Sequence, residues 1–326
     1  MANLKLPRRR FMHLALGAAA LPVSRTARAQ AYPTRPVRII VGFAAGGPAD
    51  IFARLLAQWL SDRLGQQFLI EHRPGAGSNI GTEAVVRAAP DGYTLLLASP
   101  ANTVNATLYD KLNFNFIRDV APVAGIVRLP NVMVLHPSVP ARSVPEFIAY
   151  AKTNPGKLNF AAAPGTSIHL SGELFKMMAG VDLVHVSYRG AGPALTDLLS
   201  GQVQLMFNSV ASSVEHIRAN KLRALAVTAA IRSELLPDTP TVADFLPGYE
   251  VSNWYGIGAP RNVPSEIVEK LNTEINLALN DTKMKAQLLD FGATLIPGPA
   301  ASFGKLVNEE TEKWAKVVKF AGLKPE

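Results

Sequence analysis

A chain of 326 residues, 48% hydrophobic and 18% charged, is long enough for two lobes of ordinary domain size and too apolar to be disordered. It has no cysteine, which excludes disulfides, a thiolate metal site, a cysteine nucleophile and a lipid-attachment cysteine. The net charge of +8 sits mostly at the start, where Lys5, Arg8, Arg9, Arg10, Arg25 and Arg28 face no acid; beyond residue 29 only 27 basic residues oppose 25 acidic ones, so nothing supports nucleic-acid binding.

Residues 1–29 have the pattern of an export signal. Arg8-Arg9-Arg10 precedes a short apolar run, Leu14 to Val23, and Ala27-Arg28-Ala29 supplies small residues for cleavage after Ala29. The run is too short, and too broken by Gly17 and Pro22, to remain as a membrane anchor. The paired arginines followed by Phe11 resemble a twin-arginine signal, but an ordinary secretory signal has much the same composition, so the sequence leaves the route open. The expected location is the periplasm.

The following stretch, VRIIVGFAAGGPADIFARLLAQWL (Val37 to Leu60), passes from a β-branched strand through a Gly-Gly-Pro turn into an amphipathic helix. Pro48 suits the first helical position, and Gly46 and Gly47 let the backbone approach a ligand. The free N–H groups of such a helix start favour a carboxylate or phosphate. Strands at Gln67 to Glu71 and Tyr93 to Ala98, with a helix near Thr82 to Ala88 between them, extend the pattern into a parallel α/β lobe.

A second unit is expected from Asn131 to Leu135, a helix at Val144 to Thr153, a strand at Leu158 to Ala161, a helix at Leu170 to Ala179 and a strand at Leu183 to Tyr188. Gly190 to Ala194 then repeats the glycine–proline helix entry, with Pro193 expected at the first helical position. The repetition suggests that two half-molecules each offer a helix start to one cleft, although Gly-Pro is also simply a common way into a helix. Strands at Val203 to Phe207 and Ala224 to Val227 complete this unit, Ser252 to Gly258 reads as a return crossing, and helices at Ser265 to Asn280 and Ser302 to Ala321 close the chain as packing elements.

Other chemistries fit poorly. Gly75, Gly77 and Gly81 follow a strand but depart from the dinucleotide fingerprint in spacing, and no P-loop lysine is present. Ser167 and His169 lie two apart at a helix start, so they point in different directions, and no G-x-S-x-G elbow surrounds the serine. The histidines beyond the leader, His72, His136, His169, His185 and His216, form no ligand-spaced pair. Neither a metal nor any other cofactor is expected.

Several motifs together resemble the extracytoplasmic solute-binding proteins of tripartite tricarboxylate transporters, the Bug or TctC-like family. They include GFAAGGPADIFARLLAQ (Gly42 to Gln58), RPGAGSNIGTEAV (Arg73 to Val85), APDGYTLLL (Ala89 to Leu97), GTSIHLSGELF (Gly165 to Phe175), YRGAGPALTDLLSGQV (Tyr188 to Val203), LRALAVT (Leu222 to Thr228), LPDTPTV (Leu236 to Val242) and WYGIGAP (Trp254 to Pro260). The resemblance covers nearly the whole chain. It implies an α/β fold, a two-lobed periplasmic-binding-protein-like clamshell whose lobes are each a mainly parallel sheet flanked by helices. Lobe 1 would comprise residues 30–128 plus 254–326, and lobe 2 residues 129–253.

The resemblance also implies a small organic carboxylate gripped by backbone N–H groups from turns in both lobes. Contacts would come from Phe43, Ala44, Ala45, Gly46, Gly47 and Asp50; from Ser99 and Asn102; from Gly165, Thr166, Ser167 and His169; and from Tyr188 and Asn208 of the second lobe, with Phe43 and Tyr188 as apolar walls. Asn208 stands where many relatives have Asp, which removes a negative charge from an anion site. Asp50 admits two roles, capping its helix, which is worth about 0.3–1 kcal/mol, or accepting a hydrogen bond from the ligand; capping is favoured because a carboxylate repels an anion.

The implied function is a receptor that performs no chemistry and delivers its ligand to membrane transporter subunits, acting as a monomer because a clamshell needs no second copy. Two alternatives stand beside it: an exported α/β enzyme using Ser167, His169 and Asp50, and a ligand-sensing subunit of a signalling system. The sequence does not choose among dicarboxylates, tricarboxylates, acidic amino acids and aromatic acids.

Overall fold

The computed structural model describes residues 32–324 apart from Asp110, Pro164 and Arg189. The expected export signal and its cleavage point after Ala29 lie outside the described residues.

The first lobe alternates strand and helix: β1 (Val37–Val41), α1 (Pro48–Leu64), β2 (Phe68–His72), α2 (Asn79–Val86), β3 (Thr94–Ala98) and α3 (Pro100–Leu108), followed by a single turn, α4 (Phe116–Asp119). β1 lies between β2 and β3, parallel to both. Ile39, Ile40, Leu95 and Leu96 are fully buried because helices cover both sheet faces, which explains their nearly unbroken apolar runs.

The chain then enters β4 (Val120–Leu135), a strand of 16 residues. Residues 131–135, read above as the opening of a second unit, are the far end of this strand. Its first part, to Pro130, pairs with β9 (Ser252–Pro260), and its last part, from Asn131, pairs antiparallel with β7 (Leu205–Ser209) and β8 (Arg223–Val227). β4 therefore belongs to both lobes. The intervening elements are α5 (Val144–Thr153), β5 (Asn159–Ala162), α6 (Ser167–Ala179), β6 (Val184–Ser187), α7 (Ala191–Leu199) and α8 (Val210–Arg218). β5 runs parallel to β6 and β7. The strands form one curled mixed sheet, β2-β1-β3-β9-β4-β7-β5-β6, with a parallel group at each end and an antiparallel seam between.

After β9 come α9 (Ser265–Asn280), α10 (Thr282–Asp290), the short β10 (Thr294–Leu295) and α11 (Ala300–Ala321). α11 is more than a packing element of the first lobe. Phe303 and Val307 pack with Leu96 and Trp254, whereas Trp314, Val317 and Val318 join the second-lobe core around Met133, Phe147 and Phe175. Between these halves Glu310 is buried and accepts hydrogen bonds from Trp314 Nε1 at 2.7 Å and Trp254 Nε1 at 3.4 Å, so one carboxylate clasps both cores.

The crossing strands are tied at Thr228. Its hydroxyl donates to Val251 O at 2.6 Å and accepts from Asn131 N at 2.9 Å, and its own N–H donates to Asn131 O. Gly172 matters for the second lobe because a Cβ there would stand 2.3 Å from the Phe160 ring. Only glycine lets α6 settle this closely on β5, and that packing sets where the N-terminus of α6 points.

Candidate functional site

Three helix starts meet at one cleft of 290 Å³. α1 contributes Gly47, Pro48 and Ala49; α3 contributes Ser99, Pro100 and Ala101; α6 contributes Gly165, Thr166 and Ser167 from the opposite lobe. Phe43, Asn253 and Tyr255 complete the wall. Each helix start carries roughly half a positive elementary charge and N–H groups without an intrahelical partner. No Asp, Glu, Lys or Arg is among the described residues lining this cleft. Its electrostatic character therefore comes from backbone dipoles, and the arrangement suits a small anion.

The α1 turn is held open by Asp50. This buried carboxylate accepts from Gly46 N at 2.9 Å and lies 2.8 Å from Arg54 Nε and 2.9 Å from His72 Nε2. Burial opposes its ionisation, but the hydrogen bonds from Gly46, Arg54 and His72 prevail and hold its pKa below the ordinary carboxylate value. With its oxygens engaged on the protein side, Asp50 fastens the turn and does not line the cleft. Ala44, Ala45 and Gly46 form the exposed turn between Phe43 and Gly47 and do not line it either.

Ser99 and Asn102 divide a capping task. Asn102 Oδ1 accepts from Ser99 N at 2.8 Å, and Asn102 Nδ2 donates to Thr82 Oγ1 at 2.8 Å, so Asn102 is a buried brace beneath α3. The Ser99 hydroxyl faces Asn102 N in the capping box but makes no hydrogen bond of normal geometry to any described residue, and it is buried on the cleft wall. An unpaired buried hydroxyl costs about 1–3 kcal/mol, and a ligand oxygen would relieve that cost.

The α6 turn depends on His169. Gly165 adopts φ 72°, a left-handed conformation that favours glycine, and its N–H donates to His169 Nδ1 at 3.2 Å. Burial, helped by the neighbouring His185 and Lys176, pushes the His169 pKa down to about 3. The imidazole is thus neutral, as an acceptor at Nδ1 must be. It stacks on His185 with ring centroids 3.9 Å apart. Thr166 caps α6, its hydroxyl accepting from His169 N at 3.4 Å. Ser167 Oγ lies 3.4 Å from Asn131 Nδ2, a loose link between the cleft wall and the point where β4 changes lobes.

Tyr188 and Asn208 do not line the cleft. The Tyr188 hydroxyl donates to Asp197 Oδ2 at 2.6 Å while its side chain packs against the second-lobe core cluster that contains Ala194 and Leu198, and burial followed by the Asp197 carboxylate raises its pKa to about 12. Asn208 is buried beside Ser213. The expected pairing of two glycine–proline turns also differs from the structure. α7 begins at Ala191, which places Pro193 at its third position, and none of its residues lines the cleft; the opposing helix start is that of α6. Tyr255, not Tyr188, is the second aromatic wall. Tyr255, Asn253, Pro100 and Ala101 were not singled out beforehand, although Ser99-Pro100 is itself a helix-entry pair and Tyr255 lies within the WYGIGAP motif.

A second chamber of 360 Å³ adjoins the first, sharing Phe43, Ala101, Gly165 and Thr166.

This fold and site define a solute-binding protein of the two-lobed α/β type. The family model described as "Tripartite tricarboxylate transporter family receptor" matches residues 52–323, and the chain belongs to that family. Protein BugT of Bordetella pertussis is 36% identical over 315 residues, covering 95% of each chain. Among solved structures, Rpa4515 of R. palustris, with adipate, is 37% identical with a TM-score of 0.76 over 90% of this chain and 100% of the other. MatC from Rhodopseudomonas palustris, with bound malate, is 35% identical with a TM-score of 0.72 over 88% and 100%.

Proposed function

We propose that the protein is a periplasmic receptor that captures a small organic carboxylate intact between its lobes and hands it to the membrane subunits of a tripartite tricarboxylate-type transporter. The observation that carries this reading is the convergence of three helix N-termini, from both lobes, on a cleft with no acidic side chain among the described residues that line it. Family membership supports the receptor role, and adipate and malate in the two relatives support a carboxylate as ligand. The site residues also argue against an exported hydrolase: Ser167 Oγ is approached by Asn131, and the His169 acceptor nitrogen is taken by Gly165 N. No activated nucleophile results.

The test is a thermal-shift panel of organic acids followed by calorimetry on those that raise the melting temperature, since a native-state ligand stabilises by RT ln(1 + [L]/Kd). Folded protein that responds to no carboxylate would refute the reading. Capture of transporter membrane subunits from solubilised membranes, enhanced by the bound acid, tests delivery.

A further inference from the structure

The strands that pass between the lobes have two faces. On β9, Asn253 and Tyr255 line the cleft, so Trp254 between them points the other way, where its ring meets Phe303 and its indole N–H meets Glu310 of α11. Arg128 of β4 stands opposite Trp254 in the antiparallel register and therefore shares that outer face.

Arg128 is the last charged residue of β4 on the first-lobe side, paired there with β9 and β10 before the strand turns to β7 and β8 at Asn131. Glu250 belongs to the second-lobe side, since the next residue, Val251, donates its N–H to Thr228 O at 2.9 Å. The Arg128 guanidinium forms an ion pair with the Glu250 carboxylate through Nη1, across the point where the chain changes lobes. Lys313, halfway along α11, donates to Glu250 O at 2.9 Å and pairs with Glu310. Arg128, Glu250, Lys313 and Glu310 thus form one network of alternating sign on the face turned away from the ligand. None of the four lines the cleft or the chamber beside it.

A rotation of the lobes about these strands that narrows the cleft on one face must widen the gap on the other. A bond that joins the lobes on the outer face is lengthened by that rotation. Resting on the receptor reading above, we propose that the Arg128–Glu250 pair is a hinge clasp that opposes narrowing of the cleft. Arg128 and Glu250 are then positioning residues: they lower the affinity for every acid alike while touching none of them, because the apparent Kd rises as the fraction of protein in the gripping geometry falls. Such a clasp also suits a receptor that must give its ligand up.

The experiment is calorimetry on the purified protein with malate, adipate and the other acids that raise its melting temperature, repeated for Arg128→Gln, Glu250→Gln, the double variant and Arg128→Lys. Each glutamine variant should bind every acid about three- to fivefold more tightly than the wild type, the scale of one partly exposed ion pair, with the order of acids unchanged. The double variant should gain no more than either single one, since all three lose the same contact. Arg128→Lys, which keeps the charge, should stay near the wild type. Urea unfolding of each variant separates this effect from stability: a lowered midpoint with unchanged affinity would make the pair a structural contact only and overturn the clasp. Weaker binding by the glutamine variants, or a changed order of acids, overturns it as well. A folded wild type that binds no acid overturns the receptor reading and the clasp with it.

Discussion

Replacing Ser99 by alanine should move stability and affinity in opposite directions. Ser99 is 2% exposed and its hydroxyl, though it faces Asn102 N, makes no hydrogen bond of normal geometry to any described residue, while the turn it begins is already braced by the Asn102 side chain. In the unliganded protein the substitution removes an unsatisfied buried hydroxyl, so stability should stay level or rise by up to about 1 kcal/mol. For a chain of this size that is a rise of about 2 °C in melting temperature. In the complex the same substitution deletes a hydrogen bond to a charged oxygen, worth about 1.5–3 kcal/mol, so Kd should rise roughly 10- to 150-fold. Differential scanning fluorimetry without ligand and calorimetry with the best acid measure the two effects separately. A fall of several degrees would mean that the hydroxyl caps α3 after all, a role worth about 0.5–2 kcal/mol. Unchanged affinity would mean that the ligand does not sit on this helix start. Either result refutes the assignment of Ser99.

Asp50→Asn should leave the ranking of acids unchanged, because the carboxylate faces Arg54 and His72 and not the cleft. Its folded pKa is lowered, so its contribution to stability is present above the unfolded carboxylate range near 3.9 and is lost as pH falls through the folded value; urea unfolding of the variant should show a shallower acid limb. His169 has its pKa lowered to about 3, so between that value and 6.5 the unfolded chain holds the extra proton and stability rises with pH. His169→Phe should flatten that slope and weaken acid binding about fivefold by releasing the Gly165 turn, as read by pH-dependent denaturation and calorimetry. Glu310→Ala strands two buried indole N–H groups and should cost about 3 kcal/mol in urea unfolding, whereas Glu310→Gln should cost clearly less.

The first-lobe half of the cleft was legible because its signals are local. A β-branched strand, two glycines and a proline at the first helical position specify the α1 entry within a dozen residues, and Phe43 and Gly47 do line the cleft. The second-lobe half was not legible from composition alone. Gly190 to Pro193 resembles the α1 entry more closely than Gly165 to Ser167 does, yet which helix start faces the cleft depends on how α6 settles through Gly172 onto β5, a tertiary contact without a local mark. The first half of β4 was missed because Pro122, Gly125 and Pro130 interrupt its pattern; the structure accommodates the interruption with register shifts beside Pro122 and Gly125. α10, with the sequence TKMKAQLLD, was missed because only Met284 and Leu288 are buried, too few to announce a period. The reach of α11 into both cores also escaped notice, since an amphipathic stripe does not say which lobe it covers.

Binding through helix starts has a consequence for selectivity. Three such starts at about 0.3–1 kcal/mol each supply only about 1–3 kcal/mol, against roughly 8 kcal/mol for micromolar binding, and they recognise any carboxylate equally. The remainder must come from directed hydrogen bonds, such as the one Ser99 can make, and from burial of the ligand's carbon skeleton against Phe43 and Tyr255. A family that keeps the same helix entries can therefore change its ligand by altering a few wall side chains, without rebuilding the anion grip. Because α6 brings its helix start from the opposite lobe, the full grip exists only where both lobes meet, and a bound acid favours the geometry in which they do. Removing the α6 contribution with Gly165→Val, which forces a branched residue into the left-handed region, should weaken every acid by a similar factor and leave their order intact. A change of order in calorimetry would show that the α6 turn, and not the walls, selects the ligand.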